Sequence, residues 1–383
     1  MANAFSEKNA TWKKVNTELK EVLSSSEYAS ARSTVNDSFY TPVEVINGIY
    51  AALERFGFQG GNVLEPAMGI GNFNNGMNDD MKAHSNLYGV EIDSISGRIA
   101  KLLQPSSNIQ ICGVEQAKLS DNFFDVVLGN VPFGDYHVKD ARYDRYKFMI
   151  HDYFFAKALD LTRPGGIICF VTSKGTLDKA NNTVRKYIAE RAELVGAIRL
   201  PSNAFLSSAN TEVTSDIIFL KKKAVPYIEE PDCLFLGETE NGVTVNNYFV
   251  SHPEMMLGRM VKDSSFYGEG SNYTSLIAPE DQNLGESIRN AVQLLPEHLF
   301  EKNIPVKEKL ADIFTVDEVD EIRIPATDDV KNHTYTVIDD TLYLHEDNYF
   351  LKCDFDKKKT KRIKGMCKIR EALHAVIDIQ LNG

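Results

Sequence analysis

Along residues 1–35 the apolar side chains fall at helical intervals. Trp12, Val15, Leu19, Val22 and Leu23 trace one stripe on an otherwise polar segment, which Ser24, Ser25 and Ser26 interrupt. The spacing predicts an N-terminal helical segment over 1–35 that lays one face on the rest of the molecule. From residue 36 the pattern changes. Short, nearly continuous apolar runs at 62–67, 87–92, 108–112, 124–129 and 167–172 predict strands, with helices at 95–103 and 184–192 and two late strands at 194–199 and 216–221. Strands alternating with helices predict βαβ units, right-handed crossovers and a parallel sheet. Strands that are apolar throughout need cover on both faces, so helices are expected on each side.

Lys221-Lys222-Lys223, followed by Pro226, ends this regime. Residues 228–275 are mixed and loop-rich, 286–295 reads as a helix, and 335–338 with 342–344 alternate around Asp339-Asp340 as a hairpin. A terminal helix is expected over 362–381. The stretch 312–340 carries nine acidic residues against two basic ones, and 351–370 nine basic against two acidic, so this end of the chain is polarised. Its basic tract 357–362 reads either as a contact to a DNA backbone or as a solvated helix face. Three parts follow: a helical segment over 1–35, an α/β domain over 36–224, and a smaller mixed α+β region over 225–383 that ends in a helix.

Composition narrows the classes. With 383 residues, 43% of them hydrophobic and 25% charged, the chain can bury a sizeable core and is not a disordered tail. A net charge of −12 excludes a surface that grips phosphate everywhere, so nucleic-acid binding would need local basic patches. No apolar run approaches the roughly 18 residues of a membrane span, and residues 1–14 lack the apolar core of a secretory leader. Five scattered cysteines (Cys112, Cys169, Cys233, Cys353, Cys367) form no Cys-x-x-Cys pair and no Cys/His cluster with metal-ligand spacing. A reducing, cytoplasmic setting with no metal and no membrane is expected.

Three segments carry chemistry, each at the end of a predicted strand. In the first, Glu65-Pro66-Ala67-Met68-Gly69-Ile70-Gly71 brings glycines to a strand-to-helix turn, where backbone can pass close to a ligand. A dinucleotide fingerprint would need a third glycine where Asn74 stands, and Glu65 would repel phosphate but suit an ammonium. In the second, Glu91 closes its strand about twenty residues on, where a carboxylate can accept both hydroxyls of a ribose. Together the two suit S-adenosylmethionine. In the third, Asn130-Val131-Pro132-Phe133 offers a side-chain carbonyl, a backbone carbonyl and a flat ring. Two acceptors and a plate are what an exocyclic amine on a flat base requires.

These segments, in this order, resemble the N6-adenine DNA methyltransferases with an Asn-Pro-Pro-Tyr/Phe-type motif, of the type I modification-subunit group. Within it they are most similar to the methylase regions of mobile-element methylase–helicase proteins. The likeness rests on Phe39-Tyr40-Thr41-Pro42, on residues 129–136 and on His151-Asp152-Tyr153-Phe154-Phe155. It implies a Rossmann-like S-adenosylmethionine-dependent methyltransferase sheet, DNA as partner, a helicase module or subunit beside it, and methyl transfer to adenine N6 after base flipping. It further implies that Tyr40, Thr41, Glu65, Ala67, Gly69 and Gly71 hold the methionine end of the cofactor. Glu91 would take the ribose and Ile92 the adenine, with Glu115 beside it, one place off the usual acidic position. Asn130, Val131 and Pro132 would present acceptors to the target amine, and Phe133 and Phe205 would stack on the base. Valine in place of the first proline of the motif is a departure. No Pro-Cys nucleophile and no zinc-deaminase signature occurs, and His151 reads as a helix-start residue. Two alternatives stay open: an amino-methyltransferase for RNA or protein, and a methylase-like module that binds DNA or cofactor without much turnover.

Overall fold

Val63, Leu64, Val126, Val127, Leu128, Ile167, Ile168, Cys169 and Phe170 are all fully buried, because the strands that carry them lie inside a sheet covered on both faces. The computed structural model describes residues 2–5, 10–34, 40–206, 211–263, 273–300, 324–325, 334–338, 340–346, 349–353, 355 and 357–382. It divides into two units, Met1–Lys307 and Glu308–Gly383. The first holds a seven-stranded sheet of β1 Asn62–Glu65, β2 Asn86–Glu91, β3 Asn108–Ile111, β4 Phe124–Asn130, β5 Thr162–Ser173, β6 Ala192–Leu200 and β7 Ser215–Lys222, in the order β3-β2-β1-β4-β5-β7-β6. Strands β1 to β5 pair in parallel. The order reverses between β1 and β4, which makes that point the natural crevice of an open α/β sheet.

The sheet is not parallel throughout, as the alternation predicted. β7 runs antiparallel to both β5 and β6. Between β6 and β7 the described residues include the 3-10 turn Ser202–Phe205, and strands that pair antiparallel need no crossover helix between them.

The first helices are α1 Lys13–Val22 and α2 Ser25–Thr34. The serine run is a helix start rather than a gap. The Glu27 carboxylate accepts from the Ser24 backbone N–H (2.9 Å) and hydroxyl (2.8 Å), a capping box. Glu27 also pairs with Arg98 at 2.5 Å, so the N-terminal segment belongs to the first unit. Its apolar stripe is only partly covered, with Val22 81% exposed. The helices α3 Val43–Arg55, α4 Asn72–Gly76, α5 Asp79–Ala83, α6 Ser94–Leu103, α7 Ile150–Leu161, α8 Gly175–Asp178 and α9 Thr183–Arg191 follow. The first crossover is two short helices, α4 and α5.

The expected boundary at 224/225 also shifts. Met255, Leu257, Met260, Leu276, Ile288, Val292 and Leu295 join the same apolar core as the sheet. Residues 225–300 add two hairpins, β8 Leu236–Glu238 with β9 Thr244–Asn246 and β10 Arg259–Lys262 with β11 Thr274–Ile277. They also add the helices α10 Asn247–Ser251 and α11 Leu284–Val292. α11 seats Ile288 so closely on Gly48 of α3 that a Cβ there would lie 2.2 Å from its methyl.

The second unit is an antiparallel sheet in the order β12-β15-β14-β13, of β12 Ile324–Pro325, β13 Tyr335–Ile338, β14 Thr341–Glu346 and β15 Tyr349–Lys352. The predicted hairpin is β13–β14, turning through Asp340 at φ +57°. The helix α12, Lys357–Asn382, buries Cys367, whose thiol reaches the Tyr335 carbonyl at 3.3 Å. Most of the acidic stretch 312–340, like Phe39, lies outside the described residues. No described helix is long and apolar enough to cross a membrane.

Candidate functional site

The C-terminal ends of β1, β2, β3 and β4 open onto one cleft of about 590 Å³. Tyr40, Thr41, Glu65, Ala67, Gly69, Glu91, Ile92, Glu115, Asn130, Val131 and Pro132 all line it, so one space gathers residues that stand far apart in the chain. Gly71, Phe133 and Phe205 do not line it.

Glu65, the last residue of β1, is 2% exposed, and its Oε2 has no hydrogen-bond partner among the described residues. Burial chiefly, then the nearby Glu91 charge, pushes its pKa well above the ordinary carboxylate value, and a backbone N–H of Asn74 only partly offsets this. A buried acceptor in this state costs free energy unless a ligand with a positive or hydrogen-donating end meets it. Glu91 ends β2 in a different state. Its two oxygens accept from the backbone N–H groups of Gly69 (2.7 Å) and Asp93 (2.8 Å). Burial still raises its pKa, against those donors. Each oxygen keeps a lone pair for a further donor, such as a hydroxyl. Asp93 caps α6 through Ser96 N at 2.9 Å, which fixes the turn below Glu91.

The glycines between these acids have separate jobs. Gly69 has φ +54° and open space where a Cβ would sit, so the cleft floor is bare backbone there. Gly71, at φ +84°, shapes the turn instead: its Cβ would lie 2.2 Å from the Gln104 amide, which donates to the Gly71 carbonyl at 2.8 Å. That packing keeps Gly71 away from the cleft. A bare floor, a half-used carboxylate and a buried unpaired one fit a ligand with a cationic amino-acid end and a ribose.

On the far wall, β4 delivers Asn130 and Val131. The Val131 N–H donates to the Val171 carbonyl at 3.1 Å. A proline could not make that bond, so the tie to β5 replaces part of the rigidity the proline would supply. Ile92, 63% exposed, gives the cleft an apolar lip. Glu115 folds its carboxylate back over Gly113, within 2.4 Å of where a Cβ would stand.

Phe133 is half-buried and packs on the core beside the cleft. Phe205 is 2% exposed in the same core. A stacking plate needs an accessible face, so Phe205 is corrected from a base-stacking residue to a core residue. Met68, Cys112, Val114, Ile150, Phe154 and the run 136–139 line the cleft without having been expected there. Their signal was positional: each lies just past a strand end or on the helix that follows.

Beside the motif, Lys179 bridges the first turn of α7, 2.9 Å from His151 Nε2 and 3.0 Å from Asp152 Oδ2. His151 does start a helix, as expected. Among the described residues no group of three or more His, Cys, Asp or Glu is placed to hold a metal ion.

The chain is 32% identical to the Defense against restriction protein B of Escherichia phage P1 over 198 residues, half of this chain but 8% of that protein. Among solved structures it is similar to the methyltransferase subunit of a type I restriction-modification system from Streptococcus thermophilus, at 18% identity and a TM-score of 0.45 over 75% of this chain and 62% of that one. It is also similar to a Listeria monocytogenes protein assigned to the class I S-adenosylmethionine-dependent methyltransferases, at 20% identity and a TM-score of 0.42 over 59% and 76%. A family model, N-6 DNA methylase, matches residues 21–248, more than half of the sequence, and the chain belongs to that family.

Proposed function

We propose that the protein methylates N6 of adenine in DNA, using S-adenosylmethionine, with the target base turned out of the duplex. The observation that carries this reading is that Glu65, Glu91 and the Asn130-Val131-Pro132 motif open onto one cleft. S-adenosylmethionine would supply a methyl group made electrophilic by its sulfonium. Glu65 would meet the ammonium of its amino-acid end, with Tyr40, Thr41, Ala67 and Gly69 around it. Gly71 supports this end through its turn. Glu91 would accept the ribose hydroxyls, and Ile92 and Glu115 would flank the adenine.

At the other wall, the Asn130 side-chain carbonyl and the Val131 backbone carbonyl would accept the two N–H bonds of the target amine. Accepting both turns the nitrogen lone pair towards the methyl group and stabilises the positive charge that grows on nitrogen. No strong base is needed before transfer, and the proton leaves afterwards. Phe133 is one aromatic face for the base. DNA is the proposed partner. A helicase module is a further proposal that rests on the sequence resemblance, and a cytoplasmic setting is one that rests on the scattered cysteines.

Single-molecule sequencing of DNA from cells making the protein tests the reading, with Asn130→Ala as control. Methylated adenine in one sequence context is expected with the wild type and none with the variant, while calorimetry shows cofactor affinity within about threefold. Unmodified DNA, with label from the cofactor found on RNA or protein, would overturn the DNA reading. Label on nothing would leave a binding module.

A further inference from the structure

An extruded base exposes two faces, and Phe133 can cover only one. Phe205, the second ring expected from sequence, is in the core. Four large aromatic side chains among the described residues line the cleft: Tyr40, Phe73, Tyr136 and Phe154. Phe73 and Phe154 are buried at 3% and 5% exposure, whereas Tyr40 and Tyr136 are 43% and 44% exposed. Tyr40 precedes α3 and belongs with the groups around Glu65. Tyr136 stands six residues after Asn130 on the same loop.

We infer that Tyr136 is the second aromatic plate of the target-base site, facing the base opposite Phe133. This rests on the proposed function and names a residue that the motif Asn130-Val131-Pro132-Phe133 does not include. Two features prepare the ring for that role. The Tyr136 carbonyl accepts from the Ile150 N–H at 2.9 Å, which ties the loop to the first residue of α7, itself a cleft-lining residue. The ring also lies against Gly134, where a Cβ would come within 2.5 Å of Cε1 and 2.8 Å of Cδ1. Any other residue at 134 would displace the ring. The Phe133-Gly134-Asp135-Tyr136 stretch therefore reads as one device: a ring, a bare position to lean on, and a second ring held at the cleft wall by its own backbone. Stacking between a base and an aromatic side chain is tolerant of sequence. The plate would therefore help hold the extruded base without setting which sequence is read.

The test uses the full chain and a duplex carrying the methylated sequence, paired normally or with the target adenine mismatched. Tyr136→Ala is expected to lower kcat/KM about tenfold on the paired duplex and clearly less on the mismatched one, whose base is already loose. Cofactor affinity stays within twofold of wild type, and Tyr136→Phe recovers most of the loss because it keeps the ring. Gly134→Ala is expected to mimic Tyr136→Ala in direction by moving the ring. Equal losses on both duplexes, a loss of cofactor affinity, or activity within twofold of wild type in Tyr136→Ala would each overturn the inference. A wild-type protein that transfers no methyl to DNA would instead overturn the function on which it rests.

Discussion

Two clusters of buried charge sit in the same sheet and are treated in opposite ways. At β6 and β7, Arg199 is wholly buried, yet every charge has its partner. Its Nε and Nη2 donate to the two oxygens of Asp216 at 2.8 and 2.9 Å, and its Nη1 donates to Asp178 at 2.7 Å. Its guanidinium lies 4.2 Å from the centre of the Phe249 ring. Burial works against the Arg199 charge, but the two aspartates outweigh it and hold its pKa above the ordinary value. At β1 and β2, Glu65 and Glu91 are buried carboxylates that, among the described residues, have no cation as a hydrogen-bond partner, and one oxygen of Glu65 has no hydrogen-bond partner there. Both clusters were expensive to desolvate. In the first the expense is recovered within the fold. In the second it is not, and on the proposed function a ligand recovers it, which is how a binding site differs from a structural ion pair of similar burial.

The largest effect should come from breaking the satisfied cluster. Arg199→Met leaves Asp216 and Asp178 buried without their cation, and losing one partner of a buried pair costs about 3–5 kcal/mol. The unfolding free energy from urea titration is expected to fall by that amount, and adding Asp216→Leu should return part of it. A variant as stable as wild type would mean that the triad is not what holds β6, β7 and α8 together.

Glu91→Ala comes next and acts on binding. Each charge-assisted hydrogen bond to the ribose is worth roughly 1.5–3 kcal/mol, so calorimetry should record at least a tenfold loss of cofactor affinity. The backbone N–H groups of Gly69 and Asp93 lose their acceptor as well, so a smaller loss of stability accompanies it.

Glu65→Gln sharpens the comparison because its two effects have opposite signs. Removing an unpaired buried carboxylate should raise the stability of the ligand-free protein at neutral pH by on the order of 1 kcal/mol, while cofactor affinity falls at least tenfold. The folded-state pKa of Glu65 is raised, chiefly by burial. Its contribution to stability is therefore complete below the unfolded value, about 4.5, and is lost as pH rises through the folded one. The advantage of Glu65→Gln over wild type should accordingly grow from about pH 5 upward. A variant destabilised at all pH values would show that Glu65 is a structural acid.

These contrasts mark what the sequence could and could not say. Glu65, Glu91 and Asn130 were legible because each ends an apolar strand, and strand ends of an open sheet converge. The central strands were legible for the same reason that they are buried. Helix α7 was legible only at its start, through His151; its course was not, because Ile150 to Ala156 are all buried and show no amphipathic period. The direction of β7 escaped because an apolar strand reads alike whichever way it runs. Phe205 was read as a base-stacking ring and lies in the core, while Tyr136 was given no role and lines the cleft: an aromatic residue in a loop looks the same in sequence whether a core or a cleft receives it. The core seam of residues 225–300 lay hidden behind a change in composition that marks the end of the sheet, not of the unit.

The smallest expected effect concerns a third cluster, which stands between the other two. Lys179 pairs with Asp152, yet His151 Nδ1 and Asp152 Oδ1 are buried with no hydrogen-bond partner among the described residues. An ammonium has only protons to give, so His151 Nε2 accepts from Lys179 and the ring proton sits on Nδ1. Burial chiefly pushes the pKa of His151 below its ordinary value; Lys179 acts in the same direction, and Asp152 and Asp135 act against it. The unfolded chain therefore takes up a proton as pH falls through about 6.5, while the folded one resists it until lower pH. Stability that is present above pH 6.5 is lost as pH falls from there towards the folded value. Glu65 moves the other way over the acid range, so only the difference between variant and wild type isolates His151. For His151→Asn the urea midpoint should fall less between about pH 7 and pH 5 than it does for wild type. Equal falls would mean that the neutral ring contributes nothing to the hold of Lys179 on α7, and the cluster would then reduce to the Lys179–Asp152 ion pair.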